Sequence, residues 1–142
     1  MGLITRRVEL NVPFHDVDPA GVVWHGHYFR YLELARCKAL EALGYSYREM
    51  AASGYIWPVT DLSCRFTAPI RYQDDIVIEA TLVEWEYRLV FDYRVLSPDG
   101  QELARGHTTQ VPVDQESGEL VIGNPPVLDR CIADYQARHP VD

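Results

Sequence analysis

Residues 13–28 read Pro13-Phe14-His15-Asp16-Val17-Asp18-Pro19-Ala20-Gly21-Val22-Val23-Trp24-His25-Gly26-His27-Tyr28, and the way this stretch joins its neighbours decides the fold. Before it, from Leu3 to Pro13, the chain alternates. Ile4, Val8, Leu10 and Val12 fall on one face and Thr5, Arg7, Glu9 and Asn11 on the other, the period of an amphipathic strand. After it the period changes. From His25 to Leu43, Tyr28, Tyr31, Leu32, Ala35, Ala39 and Leu43 recur at spacings of three and four, which predicts one long helix stopped by Gly44 in the left-handed position past its end. The quoted stretch is thus a turn that carries two carboxylates and three imidazoles up to and into the first turn of a helix.

Working outward, a short helix is expected from Tyr47 to Ala52, closed by Gly54, and beyond it the chain reads as β. Strands are predicted over Ile56–Ala68, Ile76–Tyr87, Leu89–Ser97 and Gln101–Val113. They are separated by Tyr72-Gln73-Asp74-Asp75, a bend near Arg88, and the hairpin signal Ser97-Pro98-Asp99-Gly100. Another turn spans Asp114 to Glu119, and Pro125 to about Gln136 suits a terminal helix with proline at its start. There is no internal repeat and no linker, so residues 1–142 are expected to form a single domain that buries roughly 70% of the surface of the unfolded chain. One long apolar helix followed by antiparallel strands implies an α+β fold whose sheet curls around the helix.

Composition narrows the function classes. With 47% hydrophobic and 24% charged residues the chain is neither disordered nor membranous, and no apolar run approaches the roughly 20 residues that span a bilayer. The start Met-Gly-Leu-Ile-Thr-Arg-Arg lacks the apolar stretch of a secretory signal, which leads us to expect a cytoplasmic protein. Cys37, Cys64 and Cys131 have no zinc-type spacing and read as reduced structural thiols. A net charge of -8 argues against nucleic acid, which requires a basic face.

Asp18 has two readings. In an Asp-Pro-Ala-Gly context it is a turn or N-cap aspartate whose side chain satisfies a free N–H; alternatively it is a carboxylate that attacks a carbonyl or deprotonates the water that does. The stretch Asp18 to His25, with Gly21-Val22-Val23-Trp24 inside it, running into Tyr28 to Arg36, resembles the 4-hydroxybenzoyl-CoA thioesterase family of hotdog-fold acyl-CoA hydrolases, including the related Tol-Pal-associated acyl-CoA thioesterases. A fainter likeness runs from Arg65 to Asp75, and the remaining strands match only in pattern.

The resemblance implies a hotdog fold, a long central helix wrapped by a curled antiparallel sheet, and hydrolysis of a short-chain or aromatic acyl-CoA without a cofactor or metal. It puts Asp18 at the catalytic aspartate and the backbone N–H of His25 at the carbonyl oxygen. A thioester suits a carboxylate because its carbonyl has little resonance stabilisation and its thiolate leaves easily. What the reaction needs is an oxyanion partner, and the unpaired N–H groups of a first helical turn, at His25, Gly26 and His27, can supply one. The His25 ring either assists or merely lends its backbone. Phe14 stands where the Tol-Pal branch has tyrosine, while Trp24 and Pro19-Ala20 are similar to the hydroxybenzoyl-CoA enzymes, which leaves the acyl group open.

Other residues carry weaker signals. Asp16 reads as a turn residue hydrogen-bonded within the loop, His15 and His27 as polar neighbours, and Glu33 as a surface or ion-paired helical residue near Arg30 or Arg36. Arg65, Arg71 and Arg88 are candidate contacts to coenzyme A phosphates or else solvated side chains. Trp24, Tyr28, Tyr31, Tyr55 and Trp57 either line a flat pocket or fill the core. Rival readings are a hotdog dehydratase, which lacks its histidine in a proline-rich segment before Glu33; a metal site on His15, Asp16, Asp18, His25 and His27, which lacks a helical His-x-x-x-His pair; and a non-catalytic acyl-CoA-binding protein. A curled sheet leaves an unpaired edge, so a homodimer is expected, and the resemblance implies that dimers can pair further into a homotetramer.

Overall fold

In a computed structural model, described here for residues 2–140, the first strand, β1, spans Ile4–Asn11. A single 3-10 turn, Phe14–Asp16, and the loop to Trp24 lead into α1, His25–Leu43. Its ends fall where the period changed. Gly44 closes it with φ 87°, its N–H returned to the carbonyls of Glu41 and Leu40, a conformation costly for any residue with a Cβ. A short helix α2, Tyr47–Ala52, follows, capped reciprocally by Ser46 and Glu49.

The strands β3 (Val59–Phe66), β4 (Asp75–Glu84), β5 (Leu89–Leu96) and β6 (Glu102–Gln110) join β1 in one antiparallel sheet of order β1-β4-β5-β6-β3. Two short strands, β2 (Tyr55–Ile56) and β7 (Val113–Asp114), pair separately, and α3 (Pro126–Arg138) ends the described chain. Among the described residues no helix is long and apolar enough to cross a membrane.

Two expected strands are broken. The one expected over Ile56–Ala68 divides into β2 and β3 at Trp57-Pro58, because Pro58 has no N–H to give a ladder and Trp57 turns inward, its indole N–H donating to the Tyr45 hydroxyl at 3.0 Å. The strand expected over Gln101–Val113 ends at Gln110 for the same reason, with Pro112 ahead of β7. β4 stops at Glu84 rather than Tyr87, since Tyr87 takes a positive φ of 70° and gives its N–H to the Asn124 side chain. The last helix starts one residue later than expected, with Pro125 as its N-cap, and runs on to Arg138.

α1 lies across β1 and β4, and its Tyr31, Leu32, Ala35, Ala39 and Leu43 share one core with the inward residues Ile76, Ile78, Ala80 and Leu82 of β4 and Phe91, Tyr93 and Val95 of β5. Small residues let the helix and sheet approach. A Cβ on Gly106 would lie 2.7 Å from the Ser63 carbonyl oxygen and 3.1 Å from Leu32 Cδ1. Gly106→Ala should therefore lower stability by about 1–3 kcal/mol, the range for overpacking; an unchanged urea midpoint would contradict this packing.

At the edge the cover runs out. Only Cys64 of β3 is even half-buried, and Leu62 and Phe66, on the helix-facing side, are 51% and 48% exposed.

Candidate active site

The loop between β1 and α1 closes on itself before the helix begins. The Asp16 carbonyl accepts the Trp24 N–H at 3.0 Å, Val17 bridges Val23, and the Asp18 N–H donates to the Val22 carbonyl at 2.8 Å. At its tip Gly21 has φ 83° and nothing within 4 Å of where a Cβ would be, so it is needed for backbone conformation and not for space. A second set of bonds ties the loop to the segment after β3: Val22 bridges Arg71, and the Val23 N–H donates to the Ile70 carbonyl at 2.8 Å.

These ties form a cleft of about 390 Å³ with Asp18, His25 and Tyr28 on one side and Phe66 to Pro69 on the other. Asp18 is a turn aspartate. Its Oδ1 accepts the N–H groups of Ala20 at 2.8 Å and Val22 at 3.4 Å, the geometry of an aspartate turn, which orients the carboxylate and leaves Oδ2 without a donor among the described residues.

Beside Asp18, α1 begins without a side-chain cap and without an acid in its first turn. The contrast with α2 and its complete capping box is informative: the N-terminus at the cleft is left open. The His27 N–H is taken by the Trp24 carbonyl at 2.9 Å, which leaves those of His25 and Gly26 as donors with the helix dipole behind them.

Gly26 has its own constraint, because a Cβ there would come within 2.2 Å of the Trp24 indole, which lies over it. That indole is half exposed and meets the rings of His25 and His27 at centroid distances of 5.1 and 5.3 Å. Tyr28 is buried, its ring set edge-on to Phe66 at 4.7 Å, and burial, followed by the nearby Cys64, pushes its phenol up to about 12. Of the other expected aromatics, Tyr31 and Trp57 belong to the core and Tyr55 lies in β2.

The arginines divide. Arg71 is exposed beside the loop, its backbone N–H held by the Asp74 side chain at 2.8 Å. Arg65 lies on the outward face of the sheet, beside a larger groove of about 570 Å³ lined by charged and polar side chains of three strands. Register puts Arg65, Arg105, Arg94 and Glu79 in one row there, with Glu102 shared between Arg94 and Arg105. Arg88 sits past the Glu84 end of β4, paired with Glu84 at 2.9 Å, while the loop joins the sheet at the Asp75 end. Within one chain neither Arg65 nor Arg88 reaches the cleft. The smaller cleft joins the Asp18 carboxylate to the open N–H groups of α1.

The residue that sequence reasoning underestimated is Asp16. Its side chain is 0% exposed, and its Oδ2 receives both the Tyr31 hydroxyl and Arg30, each at 2.5 Å. Its Oδ1 has no hydrogen-bond partner among the described residues, with His15 and His27 Nε2 at 3.5 and 3.9 Å. Arg30 and Tyr31 are neighbours in the second turn of α1, and nothing in their local pattern signalled a tie back to the loop. Burial by itself would raise the Asp16 carboxyl, but the bonds from Tyr31 and Arg30 and the Arg30 charge outweigh it and hold the group below its usual value of 3.8. Glu33, as expected, is exposed, 3.9 Å from Arg36. Cys37, Cys64 and Cys131 are free thiols. Among the described residues no three His, Cys, Asp or Glu side chains converge as metal ligands.

A curled antiparallel sheet wrapped on one long helix is the hotdog architecture. The chain belongs to the thioesterase-like superfamily, whose model matches residues 12–132. It is 27% identical over 109 residues to the acyl-CoA thioester hydrolase YbgC of Shigella flexneri, covering 76% of this chain and 81% of that protein. The fold superposes on a DHNA-CoA thioesterase from Staphylococcus aureus with a TM-score of 0.80 and 25% identity, covering 94% of this chain and 87% of that one. A hypothetical protein from Thermus thermophilus also gives 0.80, with 31% identity over 92% of this chain and 98% of its own.

The buried carboxylate sets an acid limit on stability. Above the usual 3.8 the Asp16 carboxylate is charged in folded and unfolded chains alike and its stabilisation is complete; as pH falls lower, the unfolded chain binds a proton that the folded chain resists, and the stabilisation is lost. Asp16→Asn should be less stable at pH 7 and show a flatter acid limb. A difference from wild type that stays constant from pH 7 to pH 3 would contradict this.

Proposed function

We propose that the protein hydrolyses a short-chain or aromatic acyl-CoA to the free acid and coenzyme A at the Asp18 cleft. One observation carries the reading: in a chain of the thioesterase-like superfamily, a carboxylate with a free oxygen shares a cleft with the uncapped N-terminus of the central helix. The acyl carbonyl would accept from the His25 and Gly26 N–H groups, which stabilise the negative charge that develops on its oxygen. Asp18 Oδ2 then either attacks the carbonyl carbon, giving a mixed anhydride that water opens, or takes a proton from the water that attacks. The C–S bond breaks with departure of the thiolate, which a proton from water neutralises.

Trp24, half exposed at the cleft mouth, and Tyr28, on its wall, are proposed to contact the acyl group or the pantetheine arm. Arg71 is the best-placed of the three arginines for a coenzyme A phosphate. For Arg65 and Arg88 to serve, they would have to come from a second subunit. The thioester carrier is read from the relatives, which are named for acyl-CoA substrates.

The exposed β3 edge supports assembly. Its outer N–H and C=O groups and the exposed Leu62 and Phe66 would be covered by the same edge of another copy, giving a homodimer, or a homotetramer if two dimers join. Phe66 also lines the cleft, so each site would border the interface.

A thiol-release assay with acetyl-, hexanoyl-, palmitoyl- and benzoyl-CoA tests the activity, and we expect turnover of at least one. Asp18→Asn should keep the fold and lower that turnover by about three orders of magnitude or more, the scale for losing a catalytic nucleophile or base; a folded variant with near-full activity would overturn the assignment. His25→Ala should be intermediate, since its backbone N–H survives, and an unchanged turnover would restrict the role to the main chain. Light scattering at low micromolar concentration is expected to give at least a dimer, against which an active, stable monomer would count.

A further inference from the structure

Two carboxylates stand two residues apart in the same loop and meet opposite fates. Asp18 faces the cleft, whereas Asp16 is withdrawn from solvent and bound to α1. The groups facing Asp16 are Tyr31 and Arg30 from the helix, His27 from its first turn and His15 from the 3-10 turn. Two strong donors crowd one oxygen while the other stays buried without a partner. Bonding this uneven in a buried carboxylate calls for a reason.

Connectivity supplies that reason. The residue holding Arg30 and Tyr31 by its side chain also accepts the Trp24 N–H with its carbonyl, so one residue joins the start of the loop both to the N-cap of α1 and to the helix body. Asp18 lies inside the span so closed, between Asp16 and Trp24, and the N–H groups of His25 and Gly26 begin just beyond it. The distance from carboxylate to helix N-terminus is therefore set by where Asp16 is held.

We propose that Asp16 is a positioning residue for thioester hydrolysis, fixing the 16–24 loop on α1 so that Asp18 meets a carbonyl already held by the first helical turn. This rests on the catalytic assignment of Asp18 above. Asp16 touches no substrate. Its effect is on geometry, where misplacement of a reacting group by about 1 Å can cost on the order of a hundredfold in rate.

The test is a double-mutant cycle on the acyl-CoA that wild type hydrolyses fastest among the four above. Asp16→Asn is expected to remain folded at the assay temperature and to lower kcat by about 10–100-fold, with KM within about threefold. In an Asp18→Asn background the same change should lower the residual rate by less than about threefold, because there is no longer a carboxylate to place. A purely structural Asp16 would reduce both backgrounds by the same factor, and that result overturns the proposal. So does a full kcat for Asp16→Asn in an enzyme that Asp18→Asn inactivates, which leaves the assignment of Asp18 standing. Near-full activity of Asp18→Asn would instead remove the assignment beneath it. Should Asp16→Asn fail to fold, Tyr31→Phe deletes one of the two bonds while keeping the Arg30 pair. We expect it to lower kcat by about 3–10-fold with the same non-additivity toward Asp18→Asn, and equal factors in the two backgrounds would overturn the proposal again.

Discussion

A carboxylate withdrawn from water has to be matched, and the pairing of Asp16 with Arg30 and Tyr31 is the constraint that seats the loop ahead of α1. Stripping a buried carboxylate of its partners costs on the order of several kcal/mol, so the loop has one strongly preferred seat on α1. Everything nearby takes its place from that seat. The Trp24 N–H finds the Asp16 carbonyl, α1 starts at His25, and the Asp18 carboxylate turns inward to bind its own loop through one oxygen while keeping the other free.

The open helix end makes sense beside it. A helix N-terminus in solvent gains about 1 kcal/mol from a capping side chain, as α2 obtains from Ser46. α1, more than three times as long, forgoes that gain at Trp24 and leaves its first N–H groups facing a cleft. A free donor pair with a dipole behind it stabilises an anion, and in a thioesterase-like chain the anion of interest is the oxygen of an acyl group under attack.

Much of this was legible in the sequence because it was local. The change of period at His25 and the glycine at 44 fix α1 to the residue, and alternation in β1 predicts which side chains face in. Asp18 and His25, seven residues apart, could be brought together by a turn alone. What was not legible depended on partners distant in the chain or on backbone chemistry. Trp57-Pro58 falls near the start of the strand expected over Ile56–Ala68, and the missing N–H of Pro58 and the inward indole, bonded to Tyr45, break it there. Asp16 looked like an ordinary turn residue, since nothing in its own neighbourhood indicates that Arg30 and Tyr31 close over it. Arg65 and Arg88 could be singled out as cations, but only sheet register reveals that one faces outward and the other lies at the far end of β4.

The central claim is one of geometry: an acyl carbonyl is held by the first turn of α1 within reach of Asp18. The most direct measurement is a crystal structure of the wild-type protein with a non-hydrolysable thioether analogue of an acyl-CoA that it turns over. The account predicts the acyl oxygen within hydrogen-bond distance of the His25 or Gly26 N–H and the adjacent carbon about 3–3.5 Å from Asp18 Oδ2 or from a water bound to it. An analogue seated in the outward groove beside Arg65 and Arg105, with the Asp18 cleft empty, would contradict it.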